Sequence, residues 1–389
     1  MGYLTRDERD SRLARVRQTM MTKELDAVLV YFDEFNIGNG WYLTGWCPQF
    51  ESGAVLVPRQ GDPFILGGPE SEPFARLDSA ITETRNVPAF MVPDEEYPNA
   101  TIIDFAALFA ELVSNLGCLM RVGLVGGGRI PADCHRQIVQ GLKGVELVDF
   151  TRDYAELRCR KSPWEAEQIR AAFRLADDCH DAMQAKISPG VSEIEVAAVG
   201  EFAARQQGAS GFGFTTIVGS GKRSNAVVPT ATSKQLGSGE IVMIGIAPKV
   251  QGYAGVVGDT LPVSGSYSSG QREYLQSLKE AFCLTKEQLL PGRIGREIDA
   301  PARAYFAKHS LSKYLVCPFA HTIGLHESES PFFGPHSNDV LEPGMTVCVD
   351  VSLFGHPEFN GVRIETGYEI SERGPVPMSP KMDHLCTEV

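Results

Sequence analysis

VCVDVSLF (347–354) and GVRIE (361–365) are two strand-like runs that carry charges at positions where burial is expensive. In the second run, Val362 and Ile364 fall on one face and Arg363 and Glu365 on the other, the period of two of a half-buried strand. Arg363 and Glu365 therefore share a face, so Arg363 can either pair with Glu365 or bind a substrate. In the first run, Asp350 is an acid inside an apolar strand, expensive to bury without a partner. It reads either as a direct substrate contact or as a partner to His321, the first residue of HTIGL (321–325).

Working outward from these runs, GEIVMIGIAPKVQGYAGVVGDT (239–260) and TIVGSGKRSN (216–225) are strand-like segments separated by polar turns. The loop after GSG offers Arg223 as a partner for a substrate carboxylate, or simply as a solvated side chain. Helices precede them. Ser162, Pro163 and Glu165 form the N-cap, first-turn proline and capping-box glutamate of one helix, whose apolar positions 169, 172, 173, 176, 179 and 183 recur at helical spacing. Ser192 and Glu195 open a second helix, which stops at Gly208. Two more helices are predicted near 270–290 and 296–308, before a β-rich end from about 314.

Residues 1–155 alternate strands and helices. DAVLVYF (26–32), GAVLVP (53–58) and PFILGG (63–68) are strands, SEPFARL and TIIDFAALFAELVSNL helices, and RVGLVGGG and GVELVDF further strands. That alternation implies an α/β unit with a mostly parallel or mixed sheet. ELRCRKSPWE (156–165) marks the boundary, giving two domains, 1–155 and 156–389. GLVGGGRIP lacks the pattern of a dinucleotide-binding turn.

Composition narrows the classes. A chain of 389 residues with 43% hydrophobic and 22% charged residues is globular and long enough for two cores. A net charge of −13 argues against a nucleic-acid partner. No apolar run is long enough to span a membrane, and the charged N-terminal stretch does not read as a secretory signal. Nine scattered cysteines without a CxxC suit reduced thiols, so a cytoplasmic location is expected.

RKSPWE, TIVGSGKRSN, GYAG, HTIGL, LEPGM and GVRIE, in this order and approximate spacing, resemble the pita-bread superfamily of creatinase, aminopeptidase P and prolidase. YLTG (42–45) resembles its smaller N-terminal domain. The resemblance implies an α/β N-terminal domain and a C-terminal pita-bread catalytic domain. The peptidases of that family hold two metal ions with Asp, Asp, His, Glu and Glu, positions that fall here on Gly245, Val256, His321, Asp350 and Glu365. Two of the five lack a donor atom, which a site for hard cations needs. Asp259 follows three residues after Val256, but strand alternation points it to the opposite face. Two histidines of the family correspond to Val228 and Ser328.

On this resemblance His321 is expected to act as a general acid/base and Glu365 as a buried site carboxylate, with Asp350 beside them. Arg363, Arg223 and His326, which adjoins Glu327, are candidate substrate contacts. In creatinase-like dimers the small domain of one subunit reaches toward the other's site, so WCPQFES (46–52) would bring Phe50 against substrate and Glu51 to a cationic group. The expectation is a metal-independent, cofactor-free, creatinase-like hydrolase of a non-peptide C–N bond in a small zwitterionic amidine, guanidine or amide amino acid derivative, acting as a homodimer. The alternatives are an Xaa-Pro-type metallopeptidase with a single or shifted metal at His321, Asp350 and Glu365, and a catalytically silent small-molecule-binding homologue.

Overall fold

Two units with separate cores divide the chain between Arg158 and Cys159. The computed structural model describes residues 4–388. In the first unit a six-stranded mixed sheet has the order β4-β3-β2-β1-β5-β6, built from β1 (Ala27–Phe32), β2 (Gly53–Pro58), β3 (Phe64–Gly67), β4 (Thr84–Asn86), β5 (Arg121–Val125) and β6 (Glu146–Asp149). Its helices are α1 (Arg6–Thr22), α2 (Ile37–Thr44), α3 (Glu72–Asp78), α4 (Phe105–Leu116), α5 (Ala132–Gly141) and α6 (Thr151–Cys159). Every residue of β1 and β2 is buried, so these central strands read as continuous apolar runs. Leu29, Tyr31, Leu56 and Leu66 pack with Phe105, Leu108 and Phe109 of α4.

In the second unit, the capping boxes at Ser162/Glu165 and Ser192/Glu195 start α7 (Pro163–Lys186) and α8 (Glu193–Gln206) as the sequence predicts. Two further helices, α9 (Ser269–Lys286) and α10 (Gly295–Lys308), and a short last one, α11 (Pro380–Thr387), complete the set. A small sheet has the order β11-β10-β7, from β7 (Gly211–Phe212), β10 (Pro248–Val250) and β11 (Tyr253–Ala254). The main antiparallel sheet, curled in the pita-bread manner, runs β14-β13-β15-β16-β12-β9-β8. Its strands are β8 (Ile217–Ser220), β9 (Ile241–Ile246), β12 (Val257–Pro262), β13 (Ala320–Thr322), β14 (Glu329–Phe332), β15 (Thr346–His356) and β16 (Asn360–Ser371), with β17 (Gly374–Pro377) paired to β16.

Alternation sorts the two faces of this sheet. Val347, Val349 and Val351 of β15 and Val362 and Ile364 of β16 join Leu278 and Phe282 of α9 in the large core. Cys348 and Asp350 of β15, with Arg363 and Glu365 of β16, therefore point to the other face. The two-domain α/β and pita-bread architecture expected from sequence is the observed one.

Four helices were not anticipated, among them α2, which runs into YLTG. α5 buries only Cys134 and Ile138, a stripe too short to show a period. α6 begins before the stretch read as a boundary and runs into it, and α11 lies inside the part read as β-rich. Among the described residues no helix is long and apolar enough to cross a membrane.

Candidate metal centre

Two neighbouring strand pairs assemble the site. Asp350 lies directly opposite Glu365 across β15 and β16, and His321 opposite Cys348 across β13 and β15. Directly opposed residues share a face, with Cβ atoms about 4.5–5.5 Å apart. One donor atom each from His321, Asp350 and Glu365 can be chosen so that all lie within 4.8 Å of one another, and the same holds for Glu327, Cys348 and Glu365. His321 and Asp350 are 8% exposed and Glu365 only 3%.

The orientation of His321 follows from one contact. Its Nδ1 is 3.1 Å from the Thr322 carbonyl oxygen, which can only accept, so Nδ1 carries the proton. Nε2 then presents its lone pair inward, 3.8 Å from Glu365 Oε1 and 3.7 Å from Glu327 Oε1. Glu365 Oε1 is buried with no hydrogen-bond partner. Burial, with the Asp350 and Glu327 carboxylates alongside, pushes the Glu365 carboxyl well above the usual carboxylate range, while Arg363 pulls the other way. Asp350 Oδ1 accepts from Arg363 Nε at 3.1 Å and from the Ser352 hydroxyl at 3.2 Å. Asp350 thus gains a guanidinium partner, and Arg363 pairs with Asp350 rather than with its strand neighbour Glu365.

These residues suit a small divalent cation. Histidine nitrogen with two carboxylates is a set of three protein ligands that holds one catalytic ion. The orphaned Glu365 oxygen is the atom such an ion would satisfy. With Glu365 ionised, three carboxylates against one guanidinium leave two negative charges, the charge of one divalent cation.

The other sequence candidates lie elsewhere or are engaged. Gly245 has no side chain, and Val256 is fully buried. Asp259 turns away, as alternation requires, and its Oδ2 sits 2.9 Å from His180 Nε2. Arg223 Nε donates to the buried Glu193 at 2.9 Å and its Nη2 to the Thr230 carbonyl at 2.6 Å. His326 is half-buried, and its backbone N–H donates to Glu329 Oε1 at 3.0 Å. The acid that reaches the cluster is its neighbour Glu327. Val228 and Ser328 are exposed.

In the first unit, Phe50 is 87% exposed with φ +63°. Glu51 is 3% exposed, and its carboxylate accepts from the Ser71 N–H at 2.9 Å and from the Ser71 hydroxyl. That carboxylate is spent on the start of α3 rather than offered to a cationic group.

Residues 167–372 match the model of metallopeptidase family M24, and residues 12–160 that of the creatinase/prolidase N-terminal domain. The chain is 31% identical over 370 residues to an Xaa-Pro dipeptidase of Pyrococcus horikoshii, covering 95% of this chain and 96% of that one. It is 28% identical over 363 residues to an Xaa-Pro dipeptidase of Pyrococcus furiosus, covering 91% and 97%. Among solved structures, an Xaa-Pro dipeptidase from Bacillus anthracis superposes with a TM-score of 0.80 at 25% identity, over 96% of this chain and 98% of that one.

The metal-free, creatinase-like expectation is overturned, and with it the metal-independent hydrolase of a non-peptide C–N bond. The missing donors at Gly245 and Val256 predict a carboxylate-poor pocket. Instead His321, Asp350 and Glu365 converge as a ligand set, Glu327 adds a third carboxylate, and the relatives that span the chain include two Xaa-Pro dipeptidases.

Proposed function

The chain belongs to metallopeptidase family M24, with a creatinase/prolidase N-terminal domain ahead of the peptidase domain, and from that premise we propose that it is a metal-dependent hydrolase of short Xaa-Pro peptides. One divalent cation would be held by His321 Nε2, Asp350 and Glu365. The observation that carries this reading is the buried Glu365 Oε1, which has no partner and faces His321 Nε2 within a three-ligand cluster. The substrate class is supported by the names of the Pyrococcus relatives.

When bound, a cation here would supply Lewis-acid polarisation and lower the pKa of a coordinated water. The chain's own groups do the rest. Thr322 holds the His321 ring in the tautomer whose Nε2 can ligate. Arg363 and Ser352 fix the Asp350 carboxylate. Glu327, 14% exposed and 3.7 Å from His321 Nε2, is the acid placed to take a proton from water and return it to the leaving nitrogen.

The test is proline release from Met-Pro and Gly-Pro by chelator-treated protein, with and without added Mn²⁺ or Zn²⁺. Activity lost on chelation and restored by metal, but absent in H321A and E365A, supports the reading. Cleavage indifferent to chelator, or no cleavage by protein carrying a full equivalent of metal, sinks it.

A further inference from the structure

Beside the pair formed by Asp350 and Glu365 runs a second row of directly opposed residues, His321, Cys348 and Gly367 on β13, β15 and β16. Cys348 lies two residues before Asp350, so both point to the site face, away from the core that holds Val347 and Val349. A buried free cysteine is most often a small apolar filler. This one has other neighbours. It is fully buried and in no disulfide, and burial with the Glu365, Glu327 and Asp350 carboxylates alongside pushes its thiol well above the usual range.

Glu327 reaches the same place from the loop after β13. Its stem lies over Gly213, where a Cβ would come 2.7 Å from Glu327 Cβ and 3.5 Å from its Cγ. A side chain at 213 would displace that stem. Glu327, Cys348 and Glu365 can each offer one donor atom so that all three lie within 4.8 Å of one another. This set shares only Glu365 with the one formed by His321, Asp350 and Glu365. Glu365 is also the residue with a buried oxygen that lacks a partner, and its two oxygens can face a cation on either side.

The two sets differ in chemistry. Imidazole and carboxylates accept most divalent ions, whereas a thiolate selects soft ones such as Zn²⁺ over Mn²⁺ or Mg²⁺. They differ in charge as well. A first ion already balances the three carboxylates against Arg363. A second finds only the thiolate that its own binding creates, the thiol proton leaving to water. The second position therefore fills after the first, and only with an ion that binds sulfur strongly.

We propose that Glu327, Cys348 and Glu365 form a second cation subsite, selective for a thiophilic divalent ion such as Zn²⁺ or Cd²⁺, which fills at the expense of the proton task of Glu327. This rests on the metal-dependent reading above. Excess zinc then inhibits an enzyme that one ion activates.

The probe is Cd²⁺, whose bond to a thiolate gives an ultraviolet charge-transfer band. Calorimetric titration of the metal-stripped full-length protein is followed together with the ultraviolet spectrum, in wild type and C348S. Wild type should show a band that C348S lacks and take up one Cd²⁺ more per chain. Every other cysteine is common to both proteins, so the difference reads Cys348 alone. Mn²⁺ in the same titration should bind wild type and C348S alike. E327Q keeps the thiol and should weaken the Cd²⁺ step that C348S removes. In proline release from Met-Pro, Zn²⁺ beyond the first equivalent should abolish most of the wild type's Mn²⁺-supported activity and leave C348S most of its own. Far-UV circular dichroism and thermal melting show that each variant folds, and C348A replaces C348S if the latter does not.

A folded C348S with the wild-type Cd²⁺ band and stoichiometry, or with wild-type sensitivity to excess Zn²⁺, overturns the inference while leaving the metal-dependent reading standing. A wild-type chain that takes up neither Mn²⁺ nor Cd²⁺ overturns both.

Discussion

Glu193, at the start of α8, and Glu365, on β16, are both almost completely removed from solvent, at 0% and 3% exposed, yet they are treated in opposite ways. Glu193 accepts from the Ser220 N–H at 3.0 Å and hydroxyl at 2.9 Å, from Arg223 Nε at 2.9 Å, and from the Thr232 N–H at 3.2 Å and hydroxyl at 2.8 Å. Burial works against its ionisation, but these donors outweigh it and hold the carboxyl below its ordinary range. Glu365 has an oxygen with no donor at all, and its carboxyl is driven up. A buried acid surrounded by donors ties structure together. One with an oxygen left without a donor, among other acids and with a single guanidinium nearby, has room for a further positive charge.

The largest effect expected from this contrast is on the satisfied acid. E193A strips the partner from Arg223 and leaves the Ser220 and Thr232 donors unpaired, so urea denaturation should show a loss of about 3 kcal/mol. A loss under about 1 kcal/mol would erase the distinction.

E365Q should behave in the reverse manner. Mn²⁺ affinity should drop about 100-fold, roughly 2.7 kcal/mol, with no loss of metal-free stability. The pH dependence follows from the raised carboxyl. Protonated Glu365 favours the folded state fully below its unfolded pKa, and that contribution is lost as pH rises toward its folded value. In chelator, the melting temperature of E365Q should therefore gain on wild type as pH increases from 5 to 8. A gap that shrinks with pH would contradict the assignment.

Glu193 carries the opposite sign. Its depressed carboxyl contributes stability above the unfolded pKa, and this is lost as pH falls through the folded value. Wild type and E193Q should converge as pH falls from the unfolded carboxylate value through the lower folded one, as followed by acid titration of the circular dichroism signal. E51Q is the mildest change, because a glutamine oxygen can still accept from Ser71. About 1 kcal/mol of stability is expected to be lost, with Mn²⁺ affinity untouched in the same calorimetric titration.

Period-two patterning made much of the site readable. It put Arg363 and Glu365 on one face, gave Asp350 its need for a partner, and turned Asp259 away, toward His180 as it proved. The motif around His321 placed that ring inward. Which residues face each other depends on strand register instead, and that is set by the turn between β15 and β16, where no periodic signal exists. Hence the Asp350–Arg363 pair was invisible. Glu327 was legible only as the neighbour of His326, without a direction, for a related reason. It sits in the loop after β13, where no repeat predicts direction, and only the path of the folded chain turns it back to His321. Counting donors at aligned positions therefore understated the negative charge of the pocket.

The glycine at 245 also bears on how such a site can change over time. A Cβ there would lie 3.2 Å from Ile217 Cδ1, so a larger residue fits only if that side chain gives way by a few tenths of an ångström. A carboxylate introduced at 245 would therefore start out crowded, and the rotamer freedom of one isoleucine decides whether the pocket can gain a ligand from that side.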